Sequence, residues 1–456
     1  MQYNNSIKRK FGSLSLLASL ITFSISGFAQ QEVPATLAGH SILPVDSTVS
    51  APHNAPSGLQ VSGKFTTGTR VDTLGKVEGK SADRPTGMSI PIKGQPRQGH
   101  SGIKHMADGT YWVLTDNGFG NKVNSPDSML YITQYDIDFK SGKTTPLKTV
   151  FFHDPNKIIP FHIINEDSKE RYLTGSDFDP ESFQFADGAL WVGDEFGPYL
   201  IKMDLDGKVL ALFETQVNGE KVISPDHYQV TTPGKPSDTV AFQVNRSKGF
   251  EGMASSPDGS KLYPMLEGAI WDDKKQDYES VDGKRAARIL EFDVKKQGWT
   301  GRSWLYVFED NQNAIGDFNL IDDTHGLIIE RDNGEGTADK ACAAGSSNTE
   351  NCFSHLAKFK RVYRIEFSDK NVGGAVDKQA YIDLMQIKDP NNQARKALNE
   401  GVFTFPFFTI ENVDIVDDEH IIVGNDNNFP FSSSRDPNKA DDNEFILLKV
   451  PELLKP

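Results

Sequence analysis

Five pairs of short apolar runs fold back on tight turns, and further runs alternate apolar and polar residues with period two. The first two pairs read Ser101-Gly102-Ile103…Asp108-Gly109…Trp112-Val113-Leu114-Thr115-Asp116 and Glu181-Ser182-Phe183…Asp187-Gly188…Trp191-Val192-Gly193-Asp194-Glu195. The others are Glu251-Gly252-Met253…Asp258-Gly259…Leu262 to Glu267, Phe318-Asn319-Leu320…Asp322-Asp323…Leu327 to Asn333, and Glu411-Asn412-Val413…Asp417-Asp418…Ile421 to Asn427. Asp-Gly between apolar runs signals a hairpin, because a type I′ turn needs positive φ, which Asp, Asn and Gly tolerate. After each hairpin comes a further alternating run: Leu130 to Asp136, Tyr199 to Asp204, Arg288 to Asp293, Arg361 to Glu366 and Glu444 to Lys449. Units of three or four short antiparallel strands are propeller blades.

The expected fold is all-β, a single β-propeller of six blades with five hairpin repeats visible and long loop insertions on one face. Turns recur roughly every 65 to 95 residues, more than the ~40–50 of a compact blade. The excess is assigned to insertions at about Lys208 to Gln243, Gly334 to Lys360 and Gln379 to Phe405. Residues 30–96 read as a lead-in, irregular from Gln31 to Pro56, with a strand at Leu59 to Phe65 for a further blade or for ring closure. Residues 97–456 are the propeller.

In a propeller the innermost strands line a central channel, so their equivalent ends meet at one mouth. Counting outward from each turn sets Ser101 near Asp116, Glu181 near Asp194 and Glu195, Glu251 near Glu267, and Glu411 opposite Asn425 and Asp426. Facing like charges destabilise a bare sheet, so a cation is expected between them. The expected metal ligands are Asp116, Glu181, Asp194, Glu195, Glu251, Glu267, Glu411 and Asp426, and hard oxygen donors in that number suit Ca2+.

Charge narrows the partners. The net charge is −15, and loss of a leader carrying Lys8, Arg9 and Lys10 takes it to −18, which disfavours nucleic acid, whose phosphates need clustered Lys and Arg. That leader, residues 1–29, has a basic start, an apolar stretch from Phe11 to Phe28 and a small-residue end at Gly27-Phe28-Ala29, the pattern of a cleaved signal peptide. A periplasmic or secreted monomer with no membrane span after cleavage is expected. Cys342 and Cys352 are the two cysteines; in an oxidising compartment they are expected to form a disulfide.

The strings Asp179-Pro180-Glu181-Ser182, Trp191 to Pro198 and Asn245 to Met253, with Gly99-His100-Ser101-Gly102, Glu330-Arg331-Asp332 and Glu411-Asn412-Val413, resemble the "esterase-like activity of phytase" family of exported bacterial proteins. The resemblance covers roughly Gln98 to Lys449. It implies a phytase-like β-propeller and hydrolysis of esters, phosphate esters among them.

The chemistry expected is that of a calcium-dependent ester hydrolase using activated water, with a small anionic ester as substrate. Glu181, Glu195 and Glu251 are the candidate catalytic carboxylates; Arg331, Arg246, Lys248 and His100 are the candidate substrate contacts. Two alternatives use the same acids, a calcium-dependent lactonase and a non-catalytic calcium-stabilised binding propeller. A serine esterase built on Ser101 with His100 or His105 fits poorly, because Gly99-His100-Ser101-Gly102-Ile103 lacks the Gly-x-Ser-x-Gly elbow.

Overall fold

The computed structural model describes residues 30–235 and 239–455; the expected leader lies outside them. Four-stranded antiparallel sheets account for most of the ordered chain. The first blade comprises His100–His105, Tyr111–Thr115, Tyr131–Asp138 and Lys143–Phe151. The second comprises Pro180–Ala186, Ala189–Asp194, Tyr199–Met203 and Val209–Glu214, and the third Phe250–Ser255, Lys261–Leu266, Lys284–Asp293 and Gly298–Val307. The fourth comprises Ala314–Leu320, His325–Arg331, Lys360–Glu366 and Asp377–Asp383; the fifth Ile410–Ile415, His420–Asn425 and Asn443–Lys449.

The fifth blade takes its outer strand from the other end of the chain. Thr36–Leu43 pairs antiparallel with Asn443–Lys449, Thr36 opposite Lys449 and Leu43 opposite Asn443. Just before it, Gln31–Glu32 runs parallel to the outer strand of the fourth blade. The expected irregular lead-in therefore holds the closing strand, whereas Leu59 to Phe65 holds the end of the 3-10 turn Ser57–Gln60 and the two-residue strand Val61–Ser62, paired with Ile92–Lys93.

Apolar side chains from facing blades interlock in cyclic order. Leu114 and Ile132 meet Phe183 and Val192 between blades one and two; Trp191 and Leu200 meet Met253 and Phe292 between two and three. Met265 and Ile289 meet Phe318 and Ile328, Leu327 and Val362 meet Val413 and Ile446, and Ile422 and Phe445 return to Ile103 and Val113. Both faces of each blade are thus buried, which explains the runs of Val, Ile, Leu and aromatic residues. Five sheets already close this circuit among the described residues, and no sixth enters it.

Two expected insertions contain ladder strands: Val209–Glu214 and Asp377–Asp383 are outer strands. Asp187 and Gly188 both have positive φ, as a type I′ turn requires, whereas at Asp108-Gly109 and Asp258-Gly259 only the glycine does. Cys342 and Cys352 are joined in a disulfide. Among the described residues no helix is long and apolar enough to cross a membrane.

Candidate functional site

A β-bulge interrupts the innermost hairpin of all five blades at the same place. Pro180 pairs with Asp194 but Ser182 with Gly193, leaving Glu181 as the extra residue. Glu251 is extra between Phe250 and Gly252, and Glu411 between Ile410 and Asn412. In the first blade the ladder slips past Ser101, and in the fourth past Gly316 and Asp317. Bulges bend a strand and re-aim a side chain. Here the re-aimed positions form an inner ring of Ser101, Glu181, Glu251, Gly316 and Glu411. A second ring follows from the partner strand, one residue beyond the last pair before each bulge: Asp116, Glu195, Glu267, Arg331 and Asp426.

The fourth blade breaks both patterns. A Cβ on Gly316 would lie 1.9 Å from the carbonyl oxygen of Ile410, so the neighbouring strand leaves no room for a side chain there. Its second-ring residue is Arg331. The expected alignment of Phe318-Asn319-Leu320 with Glu251-Gly252-Met253 is two residues late, since Phe318 corresponds to Met253.

Three overlapping groups of buried carboxylates converge, each with ligand oxygens within 4.8 Å of one another: Asp179, Glu181 and Glu195; Glu181, Glu251 and Glu411; and Glu195, Glu251 and Glu267. Two cations answer these six acids. Arg331 donates to Glu411 Oε1 at 3.2 Å, and Lys248 pairs with Glu267. No Lys or Arg among the described residues pairs with Glu181 or Glu251. Glu195 Oε1 is buried without a hydrogen-bond partner, as is Ser182 Oγ nearby in sequence to Glu181.

Electrostatics follow from this crowding. Burial, then the charges of Asp179, Glu251 and Glu411, pushes Glu181 well above the usual carboxylate range. Burial, then Glu267 and Glu411, does the same to Glu251, against a weaker pull from Arg331. Burial and Glu267 raise Glu195; burial also raises Asp179, and raises Glu411 in spite of Arg331. Without metal, the cluster sheds charge by holding protons.

The other expected site residues fall into place by their contacts. Asp116 lies beside the cluster, pushed up to about 8 by burial and then by Asp179, while its Oδ1 accepts from Gly118 N at 2.7 Å. Asp426, raised by burial and by Glu411 and Asp116, accepts from Asn428 N at 2.7 Å. Asp194 is committed elsewhere: its two oxygens accept from Asp179 N (2.8 Å) and Gly197 N (2.7 Å), fixing the turn after its strand.

Two expected substrate contacts are not brought to the mouth. His100 is buried against Tyr135 and Phe445, and burial, helped by Arg97, lowers it to about 3, so it is a neutral packing residue. Arg246 is exposed and paired with Asp226. Ser101 Oγ donates to Glu411 Oε2 at 3.1 Å and not to a histidine, an arrangement unlike a nucleophile–base pair. Arg331 and Lys248 do reach the mouth and line a cavity beside it.

Asp179 was missing from the expected ligands. The signal lay in Asp179-Pro180-Glu181, where Asp179 takes the position that glycine holds in Gly99 and Gly249: each of the three carbonyls accepts the N–H of a second-ring acid.

The family model described as "Phytase-like: Esterase-like activity of phytase" matches residues 95–429. An "Uncharacterized secreted protein" of Arthroderma benhamiae is 33% identical over 119 residues, which span 24% of this chain and 22% of that protein. Among solved structures, a calcium-binding protein, regucalcin, of Agrobacterium tumefaciens superposes with a TM-score of 0.35 at 14% identity, over 77% of this chain and 91% of that one. The periplasmic gluconolactonase PpgL of Pseudomonas aeruginosa superposes with a TM-score of 0.29 at 13% identity, over 85% and 98%.

Proposed function

Because the chain belongs to the phytase-like family described as esterase-like activity of phytase, we propose that it is an exported, calcium-dependent ester hydrolase acting on small anionic esters, phosphate esters foremost. The observation that carries this reading is the imbalance at the mouth: six buried carboxylates meet two cations, Arg331 and Lys248, on one side. The donor set is all hard oxygen, the fully buried Glu195 Oε1 is left without a partner, and such a set fits Ca2+ better than a soft transition metal.

Glu181, Glu251 and Glu411 across the channel, with Asp179, Glu195 and Glu267 at its side, would hold the ion. Once bound, calcium would offset the negative field, admit an anionic ester and lower the pKa of water. The chain's own residues do the rest. Arg331, fixed by Glu411 and by Asn333 Oδ1 at 3.1 Å, presents the second N–H of each Nη to the substrate's oxyanion. Lys248 approaches from the same side. Glu195 Oε1 takes a proton from the attacking water as the water oxygen bonds to phosphorus and the ester P–O bond breaks. The alcohol leaves with a proton from solvent.

Export is supported by the basic–apolar start of the chain, by the disulfide and by the secreted description of the Arthroderma protein. The test is hydrolysis of p-nitrophenyl phosphate and phytate by chelated protein with and without restored Ca2+. Turnover that returns with calcium supports the reading. Calcium binding with no turnover of either ester, nor of a lactone, leaves the binding-propeller alternative in its place.

A further inference from the structure

At the hairpin-turn end of the blades, away from the mouth, the wedge between the first and second blades holds a cavity of about 370 Å3. Trp112, Ile132, Val150, Phe185 and Leu190 line it, and Leu205, 53% exposed, stands at its rim. The next wedge round the ring is filled. There Trp191, in register with Lys202 and Ala211, packs against Phe213 and against Phe292 of the third blade, and its indole donates to Ala186 O at 3.2 Å. Trp112 holds the same position in the first blade, in register with Gln134 and Lys148. Around it Val150 stands where Phe213 does, and Met203 where Phe292 does. Two aliphatic side chains in place of two phenyl rings leave the wedge unfilled.

Trp112 meets Phe185 edge-on, with ring centroids 5.8 Å apart. Among the described residues its indole N–H has no acceptor, whereas the other four tryptophans each donate to one. The charges at the cavity are set apart. Lys148 is exposed on the outermost strand of its blade and pairs with no acid among the described residues; Asp187 is exposed on the turn of an innermost hairpin, two residues beyond Phe185. Trp112 and Lys148 stand two strand spacings apart, ~10 Å. Between the two ends the wall is apolar. A ligand lying along it buries an apolar body of that length, keeps a negative head at the outer rim with Lys148 and carries no second negative charge toward Asp187. The volume lies within the ~300–1,000 Å3 usual for ligand pockets.

We infer that this cavity binds a small amphipathic monocarboxylate, of the class of a medium-chain fatty acid, with its carboxylate at Lys148 and its tail against Trp112 and Phe185. The site shares no residue with the mouth and stands whether or not the protein is a hydrolase.

The test is isothermal titration of the full chain in chelator, so that no metal at the mouth can hold a carboxylate, with octanoate, octanol and suberate as probes. Octanoate is expected to bind with a Kd below ~1 mM. It should bind about threefold more tightly than octanol, the gain of one exposed ion pair. It should bind about tenfold more tightly than suberate, whose second carboxylate would lose water beside Asp187. Lys148→Glu should weaken octanoate about tenfold and leave octanol unmoved. Val150→Phe, which gives this wedge the ring its neighbour has, should abolish binding of both with Tm held or raised. No octanoate binding up to ~1 mM, octanol or suberate bound as tightly as octanoate, or octanoate binding unmoved in Lys148→Glu overturns the inference. Lys148 is exposed, so that variant decides the matter even if Val150→Phe fails to fold.

Discussion

Arg331 donates to Glu411 across 3.2 Å, from the position where the other four blades place Asp116, Glu195, Glu267 and Asp426. One cation in a ring of acids gives the mouth a direction. It restrains Glu411 and leaves an N–H for an incoming anion. Arg331→Gln is expected to lower kcat/KM for p-nitrophenyl phosphate about 100-fold, as loss of ~2–3 kcal/mol of charged hydrogen bonding would. Calcium should bind more tightly, because a positive neighbour of Glu411 and Glu251 is gone. Kinetics and calorimetry read these opposed changes; weaker calcium binding would contradict the assigned geometry.

Glu251 belongs to two of the three carboxylate groups. Glu251→Gln removes a ligand and one of the repelling charges together. In chelator the variant should melt higher than the wild type; with excess Ca2+ it should gain less. For the wild type, calcium at about 100 times its Kd contributes ~2.7 kcal/mol per site. Thermal melts with and without calcium give both comparisons, and an unchanged calcium-induced gain would remove Glu251 from the ligand set.

Protons substitute for metal, which fixes the pH dependence of the metal-free protein. Burial raises Asp116 to about 8 and Asp194 to about 7, and pushes Glu181, Glu195 and Glu251 well up. A carboxyl whose folded pKa lies above its unfolded value stabilises the fold below the unfolded value, near ~4, and loses that contribution as pH climbs through the folded one. The buried histidines His100 and His227, lowered to about 3 and about 4, act in the opposite direction only below their ordinary 6.5. Between pH 6.5 and 8 the Tm of chelated protein should therefore fall by several degrees. Calcium, which needs the ionised carboxylates, should flatten the slope. A Tm that rises across this interval in chelator counts against the protonated cluster.

Closure of the ring has its own ion pair. Glu444 accepts from Arg435 through Nε and Nη2, both at 2.7 Å, and from His40 on the closing strand at 3.0 Å. Burial would raise Glu444, but Arg435 and His40 outweigh it and bring it to about 2. Its stabilisation is present above the ordinary 4.5 and is lost as pH falls toward 2. Arg435→Met leaves the buried carboxylate with only His40 and, at 3.8 Å, Lys396, and should cost about 3 kcal/mol in denaturant melts; the double variant with Glu444→Met should recover much of it. Additive losses in the double variant would show that the pair is not coupled.

The hairpins were legible because Asp-Gly and Asp-Asp turns between alternating runs leave little freedom in pairing. The rings were only half legible. Counting outward from a turn assumes an unbroken ladder, yet each inner strand carries a bulge just before the mouth, and nothing in Pro180-Glu181-Ser182 announces it. In Glu330-Arg331-Asp332 the sequence could not say which side chain faces inward. Glu330 instead turns between blades to Tyr306 (2.7 Å) and Lys378 (2.8 Å), and Asp332 accepts from Phe359 N at 3.0 Å. The sixth blade was an error of a different kind. Thr36–Leu43 lies among Pro, Gly and Ser with weak alternation, so its part in the fifth sheet became visible only beside its partner.

The pairing of Thr36 with Lys449 sets the order of events in biogenesis. The strand that seals the ring is made long before its antiparallel partner and lacks that ladder until residue 449 has been made. A growing chain is therefore an open arc with one raw edge, exposed to proteases and to other chains, and it gains its protection in a single late step. Shaving a few residues from either of those two strands should unseat both.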